Sequence, residues 1–124
     1  MSQQRTVAVV DDNSGVRQAT QVLLDVHGFN TIGFSSAKDF LHRDASTRID
    51  CVLLDIDLGG ECGIALRRRL KAEGCALPVI FMTGLDSDAV RQEAIDAGCV
   101  DFLKKPVEPQ QLLAAVAKAL PAPG

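Results

Sequence analysis

Short apolar runs alternate along the chain with longer stretches in which apolar positions recur every three or four residues. The runs read as strands at Thr6–Val10, Asn30–Gly33, Cys51–Leu54, Pro78–Thr83 and Val100–Leu103. Three of them, VAVV, CVLL and PVIFM, lack polar alternation, as strands covered on both faces should. Between the runs the period becomes helical. Val16, Ala19, Leu23 and Val26 form one apolar stripe on a helix that Gly28 ends. Ser36 caps a short helix carrying Phe40 and Leu41, and Leu66 with Leu70 marks a third that stops near Gly74. Ser87 or Asp86 caps a fourth, with Val90, Ala94 and Ala97 inward and Gly98 at its end. The last runs from Glu108 to Leu120, with Leu112, Val116 and Leu120 on one face.

Strands and helices in strict alternation predict an α/β fold with a parallel sheet. Five such units favour the flavodoxin-like, doubly wound (βα)5 arrangement, a five-stranded parallel sheet of order 2-1-3-4-5 with helices on both faces. No internal repeat or linker interrupts it. Residues 1–120 are therefore expected to be one domain, and PAPG at 121–124 a tail or the start of a linker.

Composition narrows the function classes. The 124 residues are 47% hydrophobic and 23% charged, a balance suited to a folded domain that builds its own core. A formal charge of -3 excludes the basic excess that phosphate-backbone binding needs, and with five Phe, no Trp and no Tyr, base-stacking platforms are excluded too. No nucleic acid is expected to bind this domain alone. The cysteines at 51, 62, 75 and 99 form no C-x-x-C pair, and His27 and His42 stand at no zinc spacing, so reduced thiols in a cytoplasmic protein are expected. The opening MSQQRTVAVVDD breaks into acid after four apolar residues and reads as neither a signal peptide nor a membrane span.

The candidate chemistry lies at strand ends. CVLLDIDLGG runs a buried strand into Asp55, although an unpaired buried charge is costly. In the 2-1-3-4-5 order the first and third strands are neighbours at the switch point, so Asp11 and Asp12 converge on Asp55. Three carboxylates that close repel one another unless a cation joins them, and an all-oxygen set with room for water suits Mg2+. Thr83, followed by Gly84, reaches the same rim from strand four, and Lys105 reaches it from strand five on a long stem. A hydroxyl and an ammonium around a carboxylate suit the stabilisation of transferred phosphoryl oxygens, and Asp55 could itself be the nucleophile.

These residues, DD after the first strand, D-x-D-L-x-x-x-x-G from Asp55 to Gly63, T-G at Thr83 and DFLKKP at 101–106, resemble the receiver domain of bacterial two-component response regulators over essentially the whole chain. The resemblance implies a cytoplasmic signalling module, not an enzyme with external substrates, that catalyses only its own phosphorylation and dephosphorylation. Asp55 would accept a phosphoryl group from a sensor histidine kinase or histidine phosphotransfer protein. Asp12 and Asp55, with Asp11 through water and the backbone carbonyl of Asp57, would hold Mg2+. Thr83 and Lys105 would bind phosphoryl oxygens, with Lys105, directly before the proline, the better match than Lys104. Thr83 and Phe102 would form the switch that reshapes the surface around the fourth and fifth helices, and the bond before Pro106 would be cis. An output domain, fused or separate, and a homodimer on phosphorylation are the further partners implied; a membrane is not. Leu85 and Asp57, each two residues beyond a site residue, would tune the lifetime of the phosphate. The family often has proline where Gly59 stands, which leaves the geometry of this loop open.

Plainer readings stand beside these. Acid pairs after strands are often solvated, Thr83 could serve only the backbone, and Phe102 could be core. Arg67, Arg68 and Arg69 read as a solvated helix face, and both histidines as surface or helix-end residues. DIDL also resembles the D-x-D motif of haloacid-dehalogenase-type phosphatases, although it closes the third strand here and not the first. A receiver-type interaction module that works without phosphorylation is the other alternative, and its usual sign, loss of an acid, the threonine or the lysine, is absent.

Overall fold

A computed structural model describes residues 4–85 and 87–120. The strands are β1 (Thr6–Val10), β2 (Asn30–Phe34), β3 (Cys51–Asp55), β4 (Val79–Thr83) and β5 (Asp101–Lys104). The helices are α1 (Ser14–Val26), α2 (Ala37–Leu41), α3 (Gly63–Ala72), α4 (Asp88–Ala97) and α5 (Pro109–Ala119). All strand pairs are parallel, in the order β2-β1-β3-β4-β5. The doubly wound sheet expected from the sequence is the fold observed. Strand limits differ by a residue or so: Pro78, which has no N–H to give the ladder, stands just outside β4 and only accepts, from the Val52 N–H at 3.0 Å.

The sheet separates two apolar layers. On one face Ala8, Val10, Val52, Leu54 and Phe81 pack with Phe40 of α2, Ile64, Leu66 and Leu70 of α3, and Ala94 and Ala97 of α4. On the other, Val7, Val9, Leu53, Ile80 and Met82 pack with Leu24 of α1 and Leu112, Ala115, Val116 and Ala119 of α5. Alternation along each strand sends successive side chains to opposite layers, so an uninterrupted apolar run is required. Every residue of β3 and β4 is buried. Each fully buried Val or Leu contributes on the order of 1.5–3 kcal/mol, which anchors the strands whose ends form the site.

Local signals set the helix starts. The side chains of Ser36 and Ser87 accept from the N–H groups of Asp39 (3.0 Å) and Val90 (3.3 Å). Asn13 caps α1 by accepting from Val16 N–H at 3.0 Å. The alternative cap Asp86 and the tail at 121–124 lie outside the described residues.

Two expectations need correction. The stripe on α1 is covered only in part: Leu23 packs against the core beside the fully buried Leu24, whereas Val16 and Val26 are 37% and 77% exposed. Val16, Ala19 and Leu23 line an open groove of about 590 Å³ whose far wall includes Val107 and Leu112. Spacing marks an apolar face without saying whether the fold covers it. Arg67 is not a solvated residue either. It is half-buried, its Nε–H donates to the carbonyl of Gly98 at 2.9 Å, and its Nη1 is buried without a partner among the described residues. Arg69 does follow expectation, pairing with Glu73 at 3.1 Å.

Gly63 shows how tightly α3 sits on β3. A Cβ placed there would collide with the backbone carbonyl of Asp55, and the Gly63 N–H donates to Ile56 O at 2.7 Å. Gly63→Ala is expected to cost about 1–3 kcal/mol by overpacking, because backbone cannot move aside as a side chain can. Urea denaturation measures it; a variant as stable as the wild type would show that α3 is free to shift.

Candidate functional site

The carboxyl ends of β1, β3 and β5 meet at one rim. Asp11 follows β1 directly and is completely buried, Asp55 closes β3 at 4% exposure, and Asp12 is exposed. One carboxylate oxygen from each lies within 4.8 Å of the others. The convergence expected from strand order is therefore present, and it follows from the β1–β3 pairing, which sets Val10 beside Leu54.

The Lys105 ammonium enters this cluster from the end of β5. Its Nζ donates to Asp11 Oδ2 at 2.8 Å and to Asp55 Oδ2 at 3.0 Å. Lys105 N–H donates to Thr83 O at 2.7 Å, and the Lys105–Pro106 bond is cis, as expected. Lys104, by contrast, is the last residue of β5 and lines a cavity away from the acids with Leu85 and Phe102. The other oxygen of each carboxylate is also engaged: Asp55 Oδ1 accepts from Asp57 N–H at 3.1 Å, and Asp11 Oδ1 accepts from Asn13 N–H at 2.9 Å. No described residue donates to the Asp12 carboxylate.

Arg17, one turn into α1, was not singled out in the sequence. Its Nη1 donates to the backbone carbonyl of Asp11 at 2.8 Å, tying the acid-bearing loop to the helix. A side chain reaching back to a backbone carbonyl leaves no mark in residue spacing.

Burial pushes the Asp55 carboxyl above its ordinary value of 3.8, against the Lys105 ammonium, which favours the ionised form. For Lys105, burial alone would lower the pKa, but hydrogen bonds and charge from Asp11 and Asp55 outweigh it and hold the ammonium above its ordinary 10.5. Three carboxylates facing one ammonium leave an excess of negative charge at an open rim. Hard oxygen donors from two loops, one of them uncommitted, fit a divalent cation of the Mg2+ kind, which binds one or two carboxylates and keeps its water.

Thr83 is fully buried at the end of β4, and its Oγ1 accepts from Leu85 N–H at 3.0 Å. The hydroxyl thus serves the backbone here, and no hydrogen bond joins it to Asp55. Phe102, paired in register with Phe81, packs partly into the core and partly against a cavity of about 150 Å³. The four cysteines are free thiols; Cys51 is buried in β3 and its thiol is pushed up to about 12, chiefly by burial. His27 and His42 lie at the C-terminal caps of α1 and α2. No helix among the described residues is long and apolar enough to cross a membrane.

A doubly wound α/β domain with an acidic cluster and a lysine at its switch point is the class this fold and site define. The model of the response regulator receiver domain matches residues 7–117. The transcriptional regulatory protein TdiR of Thauera aromatica is 39% identical over 115 residues, which cover 93% of this chain and 51% of that protein. The transcriptional regulatory protein FixJ of Bradyrhizobium diazoefficiens is 35% identical over 114 residues, covering 92% and 56%. The crystal structure titled FixJ-N superposes with a TM-score of 0.87 at 31% identity, covering 95% of this chain and 94% of that one. The chain belongs to the response regulator receiver domain family, whose members are phosphoacceptor signalling modules of two-component systems. This match does not favour the phosphatase reading of DIDL. The chain spans about half the length of the curated relatives it matches.

The raised Asp55 pKa sets a pH dependence. A carboxyl that holds its proton more tightly folded than unfolded favours the fold fully below 3.8, and loses that advantage as pH climbs through the raised value. Asp55→Asn removes this loss. Its stability relative to the wild type is therefore expected to improve as pH rises from 3.8 through the raised value and then to level off, as read by urea denaturation across the series. A pH-independent difference would mean that Asp55 titrates alike in both states.

Proposed function

We propose that Asp55 is the phosphoacceptor and that the domain relays a signal from a sensor histidine kinase, or a histidine phosphotransfer protein, to an output. The observation that carries this reading is the Lys105 ammonium shared between Asp55 and Asp11 at an open rim, with Asp12 beside them. In the transfer an Asp55 carboxylate oxygen bonds to phosphorus as the phosphorus–nitrogen bond of the donor's phosphohistidine breaks. The bonding pair leaves on the imidazole, which takes a proton.

The residues divide the work. Lys105 has three donors and spends two on carboxylates, so the third can meet a phosphoryl oxygen without leaving Asp11. Asp57 N–H holds the Asp55 carboxylate in place. The backbone carbonyl of Asp57, a residue bridged antiparallel to Cys62, would be the further protein ligand of a cation. Asp12 and Asp55, with Asp11 through water, would be the carboxylates that hold a Mg2+ ion. Bound there, the ion would neutralise charge on the phosphoryl oxygens.

Phosphorylation adds about 1.5–2 negative charges. Thr83 then exchanges the Leu85 N–H for a phosphoryl oxygen, and Phe102 turns toward the space vacated. The surface formed by α4, β5 and α5 shifts with them, as a change in the balance of two states. Leu85, on the loop that moves, and Asp57 tune access of water to the phosphate. Relatives whose names describe transcriptional regulators support an output in transcription, supplied by residues beyond this domain. The domain itself occupies 1–120, and the compartment is the cytoplasm.

Incubation with acetyl phosphate and Mg2+, followed by intact mass, tests the chemistry. One acid-stable, alkali-labile phosphoryl group is expected on the wild type and none on Asp55→Asn. Thr83→Ala should still be phosphorylated but fail to elicit the partner response. Labelling that persists in Asp55→Asn, or rapid turnover of unrelated phosphate esters, would overturn the assignment.

A further inference from the structure

The loop between β3 and α3 is a closed turn. Leu58 N–H donates to Glu61 O at 2.9 Å, and Glu61 N–H donates back to Leu58 O at 3.4 Å. Asp57 and Cys62 flank it as an antiparallel pair. Gly59 and Gly60 occupy its two central positions with φ of +61° and +98°. Positive φ at both is the signature of a type I′ hairpin turn, which glycine takes without strain. Proline, with φ held near about −65°, could not stand at the first of them. Both sides of the turn are fixed. Leu58 is buried at 3% exposure, and the Cα of Gly63 is packed against the Asp55 carbonyl.

The two glycines make the same demand on the backbone but face different surroundings. A Cβ on Gly59 would stand 3.0 Å from Asp12 Oδ2, whereas one on Gly60 would meet nothing within 4 Å. Asp12 is the one acid of the three that no described residue holds by a hydrogen bond, and it is exposed. Its carboxylate is positioned by what it lies against, and it is the easiest part of the contact to displace.

We propose that Gly59 is a positioning residue of the acidic site: having no side chain, it leaves the space into which the Asp12 carboxylate fits beside Asp11 and Asp55, and so sets the affinity for a divalent cation. The inference rests on the reading that these acids bind such a cation. A methyl group at 59 meets an anchored turn on one side and a loose carboxylate on the other. The carboxylate gives way by a few tenths of an ångström and is displaced relative to Asp11 and Asp55, so the cost falls on cation binding more than on the fold. Gly60 has no such role.

Titration calorimetry of the metal-free domain with Mg2+ alone separates the possibilities, with urea denaturation of each variant alongside. Gly59→Ala is expected to weaken Mg2+ binding roughly tenfold, the scale seen when groups supporting metal ligands are removed. Gly60→Ala should bind as the wild type does, although both substitutions place a Cβ on left-handed backbone and lose similar stability. Gly59→Asn repeats the test with a residue that tolerates this backbone while still carrying a Cβ, in case Gly59→Ala does not fold. Wild-type affinity in the Gly59 variants, or equal weakening in Gly60→Ala, would overturn the positioning role and leave the cation site standing. A wild-type domain that binds no Mg2+ would overturn both.

Discussion

One ammonium shared by two buried carboxylates is the constraint on which the rest of the site depends. Asp11 and Asp55 are almost fully removed from water, and the Lys105 ammonium pairs with both, at 2.8 and 3.0 Å. Truncating such a buried charged partner strands the others, which is why the arrangement must be delivered intact by the fold. Three strands deliver it. The β1–β3 pairing brings the acids together, and β5, one strand beyond β4, is close enough for a lysine stem to cross. Backbone hydrogen bonds then aim the carboxylates: Asn13 N–H on Asp11, Asp57 N–H on Asp55.

Much of this was legible in the sequence because the signals are of the kinds that survive without coordinates. VAVV, CVLL and PVIFM could only be strands covered on both sides, and their alternation with helical spacing fixed the sheet class. Given the strand order, Asp11, Asp12, Asp55 and Lys105 had to share a rim. The DFLKKP run separated Lys105 from Lys104, and the two lysines do go to different places.

What stayed hidden depends on contacts between elements. The α1 stripe of Val16, Ala19, Leu23 and Val26 has helical spacing, yet Leu24 faces the sheet, because α1 is covered by a neighbour on only part of its apolar circumference. Arg67 sits in a charged run that reads as solvated, but α4 closes over it and takes its Nε–H at the Gly98 carbonyl. Arg17 gives no hint that it will reach the Asp11 backbone. Thr83 is present at the expected rim but bonded to Leu85 N–H, since a buried hydroxyl takes the nearest backbone partner. The turn at Gly59 and Gly60 could be foreseen as a break from helix or strand, but not the left-handed backbone it adopts or the acid it faces.

The rim acids are attached to both apolar layers. The loop bearing Asp11 and Asp12 leads into α1, on the side shared with α5, whereas Asp55 leads through the Gly59 turn into α3, on the side shared with α2 and α4. The acids thus sit where loops leading to the two cores on either face of the sheet come together. An ion or group that drew these carboxylates together would act on loops tied to both layers.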